Sequence, residues 1–251
     1  MVFRSRLGLG ILAAILMGAG MLARSIAPVW AATPADCVSL PDEAALRDAL
    51  TLAPSSGGTA GGLFNGTRMW AAVVDRGGRV CAFTTSTSDP TQVWPGSQAI
   101  AKAKAYTANA FSLDTLPLST AQLYTFTQPG HSLWSLGQSN LYNSSWLVAP
   151  GGSAGVNQIQ GGLIFFGGGV GLYRAGKIIG ALGISGDTSC TDHEIAKRVR
   201  DLEGLNPPGG KLADDISYSS VDGASAFTHP LCPNTFRNGV FIGNEASAVG
   251  Y

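Results

Sequence analysis

Residues 161–205 constrain the fold more than any other stretch, because their pattern predicts a tight hairpin followed directly by a helix. Ala175-Gly176 separates two β-rich runs, which is typical of a two-residue hairpin connection. In the second run, alternate residues point to opposite faces of the strand. One of these faces carries small side chains at Ala181, Gly183 and Ser185. A helix backbone or a flat ligand could therefore lie close against it.

The helix that follows is predicted over residues 191–203. Ser189 or Thr191 can cap its first turn, because each has an acidic residue three positions later. The apolar stripe of this helix consists of Ile195, Val199 and Leu202. The remaining surface is expected to face water through Lys197, Arg198 and Arg200.

This strand, turn and helix resemble the GlcG/HbpS-type haem-binding family. The residues that carry the resemblance run from Gly176 to Gly186, in the pattern G-x-x-(I/V)-G-A-(I/L)-G-(I/V)-S-G, and continue at Asp192-His193-Glu194. A secreted subgroup of the family is similar to this chain at further stretches, which are 94–97, 104–112, 118–136 and 229–232. The resemblance therefore covers most of the chain after residue 37.

The fold class that we predict is α+β, because runs of strands joined by tight turns favour an antiparallel sheet with helices packed on it. The resemblance implies the same design, with a central antiparallel sheet of about five strands flanked by helices. It also implies assembly into homo-oligomers. We predict one domain over 37–240 and a C-terminal tail over 241–251. Residues after 205 show little periodicity and are predicted to be surface coil.

The first 31 residues have the layout of a secretory signal peptide. Arg4 and Arg6 form the charged start, residues 7–22 are apolar, and Val29-Trp30-Ala31 fits a cleavage site. The alternative is an uncleaved anchor, but this apolar run is shorter than the roughly 20 residues that a spanning helix needs. We therefore expect an exported protein, periplasmic or extracellular, with no stable membrane insertion after cleavage.

Composition limits the range of partners. Removal of Arg4, Arg6 and Arg24 lowers the basic count from 16 to 13 against 16 acidic residues, a net charge of −3. Charged residues make up only 13% of the chain. No basic patch interleaved with aromatic residues is present, so we predict no nucleic-acid partner.

Four cysteines remain after the signal segment, and in an oxidising compartment an even number favours disulfides. Three pairings are possible, and we predict Cys37–Cys81 and Cys190–Cys232. The first would tie the N-terminal segment to an early strand, and the second would pin the C-terminal region to the start of the 191–203 helix. The alternative is four buried free thiols. The chain has no C-x-x-C, which disfavours structural zinc, and no C-x-x-C-H for covalent haem attachment.

Only three histidines are available as iron ligands. His193 is the leading candidate for a metal ligand, because it lies at the predicted helix start beside Asp192 and near the small-residue strand face. His131 follows a Pro-Gly turn and is a second candidate. His229, before Pro230, is better explained by packing. In each case the alternative is a structural polar residue.

The resemblance implies that residues 104–108 lie near the haem site. Tyr106 could supply a phenolate to ferric haem, and Thr107 lies beside it. Lys102 and Lys104 could pair with haem propionates. The alternatives are that Tyr106 packs against the sheet and that the lysines form a solvated face.

Signatures of the common catalytic sites are missing. Gly183-Ile184-Ser185-Gly186-Asp187 lacks the last glycine of G-x-S-x-G, and the glycines at 167–171 precede a strand rather than a helix. These patterns favour a non-enzymatic role, although the question of an enzyme stays open.

Our functional hypothesis is an exported protein that binds haem or a related tetrapyrrole for capture, storage or sensing, with slow haem degradation as an added activity. In this hypothesis the small-residue face at Ala181, Gly183 and Ser185 and the helix start at Asp192 also contact the haem. The alternative is a non-enzymatic, disulfide-stapled interaction module on the same fold with no haem site.

Overall fold

The computed structural model describes residues 34–139 and 155–246. The predicted signal peptide at 1–31 lies outside these residues, as do 140–154 and the last part of the predicted tail, 247–251. Among the described residues, no helix is both long enough and apolar enough to cross a membrane.

A four-stranded antiparallel sheet forms the centre of the fold, in the order β2-β1-β4-β3. Its strands are β1 (Trp70–Asp75), β2 (Val80–Thr85), β3 (Gly169–Arg174) and β4 (Lys177–Ser185). Both predicted hairpins are present, and the β3–β4 turn is Ala175-Gly176, where φ is 49° and 77°. The α+β class is therefore confirmed.

The expected number of about five strands is wrong, because this sheet has four. At the β2 edge, a neighbouring segment forms a single parallel bridge between Val156 and Val80. It cannot continue as a strand, because Gly155 and Asn157 on either side of Val156 have φ values of 91° and 64°.

Helices cover both faces of the sheet. The helices of the described residues are α1 (Glu43–Leu52), α2 (Ser97–Phe111), α3 (Trp134–Ser139), α4 (Ser189–Leu202) and α5 (Ser219–Asp222), and those that pack on the central sheet are α1, α2 and α4. Helices α1 and α4 share one hydrophobic core with one sheet face, where Leu46, Leu182 and Ile195 are fully buried or nearly so. Helix α2 forms a second core with the other face, around Trp70 and Ala105. Each fully buried large apolar side chain contributes about 1.5–3 kcal/mol.

The small-residue face of β4 lies directly under α2. A Cβ added to Gly183 would come within 3.1 Å of backbone atoms of Ala101 and Ala105. Ala181 belongs to the α2 core and is fully buried. Of the two occupants that the sequence allows for this face, the helix backbone is the one present.

Helix α4 differs from its prediction in two ways. It begins earlier, because Thr188 rather than Ser189 or Thr191 is the N-cap, and the Thr188 side chain accepts the Thr191 N–H. In addition, Lys197, Arg198 and Arg200 do not face water, because all three are buried. The sequence pattern marks only one apolar side, whereas residues 53–59 and the C-terminal region cover the charged side as well.

The C-terminal region supplies much of that cover. Its strands are β5 (Ser217–Tyr218), β6 (Thr228–His229), β7 (Thr235–Arg237) and β8 (Val240–Gly243), which pair as β5-β6 and β7-β8. The prediction of surface coil after residue 205 is therefore wrong, since Ile216, Tyr218 and Cys232 belong to a third buried cluster. Strand β8 also continues three residues into the predicted tail.

Both predicted disulfides are confirmed. Cys37 pairs with Cys81, and Cys190 pairs with Cys232, with Cα–Cα distances of 5.4 and 6.0 Å. The first holds the N-terminal segment to β2, and the second holds the C-terminal region to the first turn of α4.

Candidate functional site

The start of α4 is organised around a buried ion pair. Lys104 on α2 donates to Asp192 on α4 at 2.6 Å, and Lys104 also donates to the Ile184 carbonyl at 3.0 Å. Burial raises the pKa of Asp192 to about 6, and the attraction to Lys104 offsets part of this rise. Burial also lowers the pKa of Lys104. The pair therefore connects the two helix layers through the sheet, and neither residue is available to a ligand at the surface.

The turn before α4 holds a distant loop through one carboxylate. Asp187 accepts the backbone N–H groups of Leu63, Phe64 and Gly66 at 2.6, 2.8 and 3.3 Å. Its own N–H donates to Asp192 at 2.9 Å. The Ser-Gly-Asp turn that carries the family resemblance thus has a structural role at this position.

His193, the leading iron-ligand candidate, lies in the interior with no measurable exposure. Its Nε2 atom is 3.6 Å from Oδ1 of Asp215, and neither ring nitrogen makes a hydrogen bond within the described residues. A Cβ added to Gly167 would lie 3.0 Å from the His193 Cβ. The expected position beside an open strand face is wrong, because iron could reach His193 only if these neighbours moved.

The other predicted haem contacts on β4 and α2 are also enclosed. Ala181 and Gly183 pack against α2, and Ser185 is 3% exposed. This face of β4 therefore has no open surface on which a haem could bind. The Thr107 hydroxyl donates to the Ala103 carbonyl at 2.7 Å and accepts the Ile164 N–H at 2.9 Å.

Lys102 is buried and Tyr106 is half-buried, and both side chains pack against the protein's own residues. The Tyr106 ring lies over Gly78 in the β1–β2 turn, where an added Cβ would come within 2.6 Å of it. Lys102 is 1% exposed, and its Nζ lies 4.2 Å from the centroid of the Phe83 ring. The expectation that Lys102 and Lys104 are flexible surface charges is therefore wrong, because the close approach of α2 to the sheet covers both.

A charged cavity of about 320 Å³ lies on the outer side of α4. It is lined by Ser56, Gly57, Glu194, Lys197, Arg198, Asp201, Leu202, Lys211, Leu212 and Asn238. Its charges are already paired, since Glu194 contacts both Lys197 and Arg198 at 3.0 Å and Lys197 contacts Asp215 at 2.6 Å. Contacts with His193 and Lys197 lower the pKa of Asp215 although burial opposes them.

A second cavity, of about 530 Å³, is lined by histidines. Its walls are Tyr124, Thr125, His131, Ser219, Ala224, Ser225, Ala226, Thr228, His229 and Pro230. His131 is exposed at this cavity, so its imidazole is accessible. The volume lies within the range of about 300–1,000 Å³ that is typical of small-molecule sites.

His229 forms part of the inner wall. Its ring packs on Tyr124 with centroids 4.9 Å apart, and its Nδ1 lies 2.7 Å from the Pro230 carbonyl. Burial lowers the pKa of His229 to about 4, so the imidazole is neutral at physiological pH. The structure thus brings His131 and His229 to one cavity, whereas His193 is enclosed in the protein. The role of His229 in the cavity wall differs from the sequence prediction, which explained this histidine by packing alone.

The comparisons with solved structures identify several similar folds. One is Klebsiella pneumoniae protein ORFY, with 22% identity, a TM-score of 0.43, and coverage of 68% of this chain and 90% of that one. The PduOC:haem complex has 24% identity, a TM-score of 0.44, and coverage of 63% and 89%. A Streptomyces reticuli HbpS double mutant has 18% identity, a TM-score of 0.42, and coverage of 77% and 98%.

No curated protein matches the chain significantly. The family described as haem degrading protein HbpS-like does match it, over residues 47–201. This match spans more than half of the 251 residues and includes α2, the central sheet and α4. The chain therefore belongs to the HbpS-like family.

Proposed function

We propose that this protein binds haem or a related tetrapyrrole in the histidine-lined cavity, with His131 as the imidazole nearest to solvent. Family membership supports the ligand class, since the family is described as haem degrading. The observation that carries the location is the cavity itself, which combines a volume of about 530 Å³ with an exposed histidine.

The donor set fits this ligand. A histidine imidazole is a common axial ligand of haem iron, and a bound haem would supply the redox and oxygen chemistry of its iron. Tyr124 offers an aromatic wall, while Ala224, Ala226 and Pro230 offer apolar contacts. His229 does not compete with His131 for haem iron, because its Nδ1 is held by the Pro230 carbonyl and its Nε2 faces Gly167 and Ser189, neither of which lines the cavity.

Haemin titration of the purified protein tests this proposal. We expect saturable binding with a shifted Soret band, and His131→Ala should weaken binding at least about tenfold, or 1.4 kcal/mol. Ser132→Ala, at the neighbouring exposed position, is the matched control. His193→Ala and Tyr106→Phe should leave the haem spectrum unchanged. A protein with no saturable binding would instead favour the interaction module without a haem site.

A separate measurement tests whether the protein also degrades the bound haem. We propose slow degradation as an added activity, since the family is described by it. The haem complex, given a reductant and oxygen, should lose its Soret band and release iron faster than free haem under the same conditions. A Soret band that persists as long as in a non-degrading haem protein would contradict this part of the proposal.

We also propose that the protein works outside the cytoplasm, after removal of residues 1–31. The two disulfides support this location, because disulfides persist in oxidising compartments. Mass spectrometry of the exported fraction should show a chain that begins at Ala32 or Thr33. Recovery of only the full-length chain from the cytoplasm would contradict it.

Assembly into homo-oligomers is a further part of the proposal. Val240 and Phe241 on β8 are 63% and 52% exposed, and such apolar residues are suited to contacts between copies. Light scattering should give a mass above that of one chain, and a monomer at all concentrations would contradict it.

A further inference from the structure

Four polar or sulfur-bearing side chains converge behind the inner wall of the histidine-lined cavity. The Sγ atoms of Cys190 and Cys232 and one ring nitrogen of His229 all lie within 4.8 Å of one another. All three residues are buried, at 1%, 6% and 2% exposure. The Ser189 hydroxyl completes the group, 3.3 Å from the Cys232 Sγ and 3.5 Å from the His229 Nε2.

The orientation of His229 is fixed in a way that suits a metal ligand. The Pro230 carbonyl can only accept a hydrogen bond, so the proton lies on Nδ1, which is 2.7 Å away. Nε2 therefore presents a lone pair toward Ser189 and the Gly167 N–H, the latter at 3.4 Å. Metal-ligating histidines commonly donate their other ring N–H to a backbone carbonyl, which fixes the tautomer in this manner.

The sulfur of Cys232 is placed to exist as a thiolate once the disulfide is open. It accepts the Cys190 N–H at 3.2 Å, within the first turn of α4. An amide at a helix N-terminus stabilises negative charge on sulfur, and the thiolate is the form that binds metals.

We propose that reduction of the Cys190–Cys232 disulfide creates a metal site for a thiophilic ion such as Zn²⁺. Its ligands are the two thiolates and Nε2 of His229, and the Ser189 hydroxyl or a water takes the fourth position. Three protein ligands from Cys and His are typical of zinc sites that keep an open position. This inference does not depend on haem binding.

The chemical step balances with a dithiol as reductant. The Cys190–Cys232 S–S bond breaks, the two sulfurs gain two electrons and two protons, and the dithiol becomes a disulfide. The incoming metal ion then displaces both protons as it binds the thiolates. The route that we propose for the reductant and the metal ion starts at the cavity, because Pro230 and His229 line it and the Pro230 carbonyl lies 3.8 Å from the Cys190 Sγ.

The other disulfide provides an internal comparison. Cys37, Asp75 and Cys81 also place their ligand atoms within 4.8 Å of one another. However, Asp75 already accepts the Arg79 N–H at 2.9 Å and lies 3.7 Å from the Arg79 guanidinium. The cluster also offers no imidazole, so we expect it to bind metal weakly.

Cobalt(II) is a suitable probe, since tetrahedral thiolate sites give it characteristic visible and near-ultraviolet bands. The purified protein is treated with a phosphine, which becomes phosphine oxide with the oxygen of water while the disulfides become thiols. We expect one cobalt per reduced chain, with a thiolate-to-cobalt band that Zn²⁺ bleaches, and no band before reduction. Circular dichroism checks that the reduced chain keeps its fold.

Three variants distinguish the sites. Cys37→Ser with Cys81→Ser should keep the band, and Cys190→Ser with Cys232→Ser should lose it. His229→Ala should weaken cobalt binding by roughly 10–100-fold or more. Alkylation followed by mass spectrometry gives an independent readout, in which Zn²⁺ should protect the thiols of Cys190 and Cys232 alone. The proposal is overturned if the reduced chain binds no cobalt, whether folded or unfolded, or if the band persists without Cys190 and Cys232.

Discussion

At the scale of single residues, Gly183 determines how closely α2 approaches the sheet. An added Cβ would lie 2.0 Å from the Ala101 carbonyl oxygen and 2.4 Å from the Ala105 nitrogen, both of which are backbone atoms. Gly183→Ala should therefore destabilise the protein by about 1–3 kcal/mol or more, because the helix must move away. Gly96→Ala is the matched control, since nothing lies within 4 Å of its added Cβ. Equal unfolding midpoints in urea for the two variants would contradict this packing.

Lys102 gives a pH-dependent prediction at the same scale. Burial lowers its pKa from 10.5 to about 8, so the folded chain disfavours the charged form. The contribution of such a base to the free energy of unfolding is greatest above pH 10.5, the pKa in the unfolded chain. This contribution is lost as the pH falls to about 8, the pKa in the folded chain. Lys102→Met should therefore raise the free energy of unfolding more at pH 7 than near pH 10.5. The difference between these two effects should be about 2–3 kcal/mol.

Urea unfolding of Lys102→Met and the parent protein across pH 7–10.5 measures this difference. Lys211→Met is the control, because Lys211 is exposed and paired with Asp201. A stabilisation that does not vary with pH would show that burial of the Lys102 ammonium is not its cause.

At the scale of elements, α4 shows how a charged helix can be buried. Arg198 donates to backbone carbonyls at positions 53, 54, 57, 58 and 59, and Arg200 makes two hydrogen bonds to Asp214 at 2.6 and 2.8 Å. A buried cation requires such partners, because an unpaired one would carry a large desolvation cost. The sequence pattern of α4 gives no indication of these partners, since they lie far along the chain.

Substitution of Asp187 should loosen the loop that contains Leu63, Phe64 and Gly66. Asp187→Ala should cost about 2–3 kcal/mol, because three backbone N–H groups lose a charged acceptor. Hydrogen exchange should increase at Leu63, Phe64 and Gly66 more than elsewhere. Asp187→Asn keeps an acceptor oxygen and should have a smaller effect. Unchanged exchange at these three amides in Asp187→Ala would contradict the role of this carboxylate.

At the scale of the whole molecule, the family match ends at residue 201, while one wall of the histidine-lined cavity comes from 219–230. The Cys190–Cys232 disulfide joins these two parts across a sequence separation of 42 residues. Cys190→Ser with Cys232→Ser should lower stability by about 2–4 kcal/mol, since the unfolded chain regains freedom.

Hydrogen exchange localises the effect of that disulfide. It should increase mainly over residues 216–235 in the Cys190→Ser, Cys232→Ser protein, and over the N-terminal segment in the Cys37→Ser, Cys81→Ser protein. A uniform increase in both proteins would show that neither disulfide holds its own region of the fold.

The hairpins, the α+β class and the family could be predicted from the amino-acid sequence alone. They depend on local signals, which are Ala175-Gly176 in the turn, the alternation along β4 and the motif that ends at Gly186. An even number of cysteines predicts disulfides but leaves three pairings open, and the structure confirms the pairing that we predicted. The small-residue face of β4 allowed either a helix backbone or a flat ligand, and the structure shows that helix α2 covers it at Gly183. The hairpins, the fold class and the family require only residues that are close in sequence, or a short motif.

The accessibility of the histidines and the burial of the charges depend on long-range packing, which the sequence pattern did not reveal. His193 has the stronger sequence context, yet α4 is covered by the C-terminal region, so His131 and His229 line the cavity instead. Lys104 and Asp192 are 88 positions apart and meet through the sheet. Burial and ion pairing depend on contacts between segments that are far apart in sequence, and a local sequence pattern cannot predict such contacts.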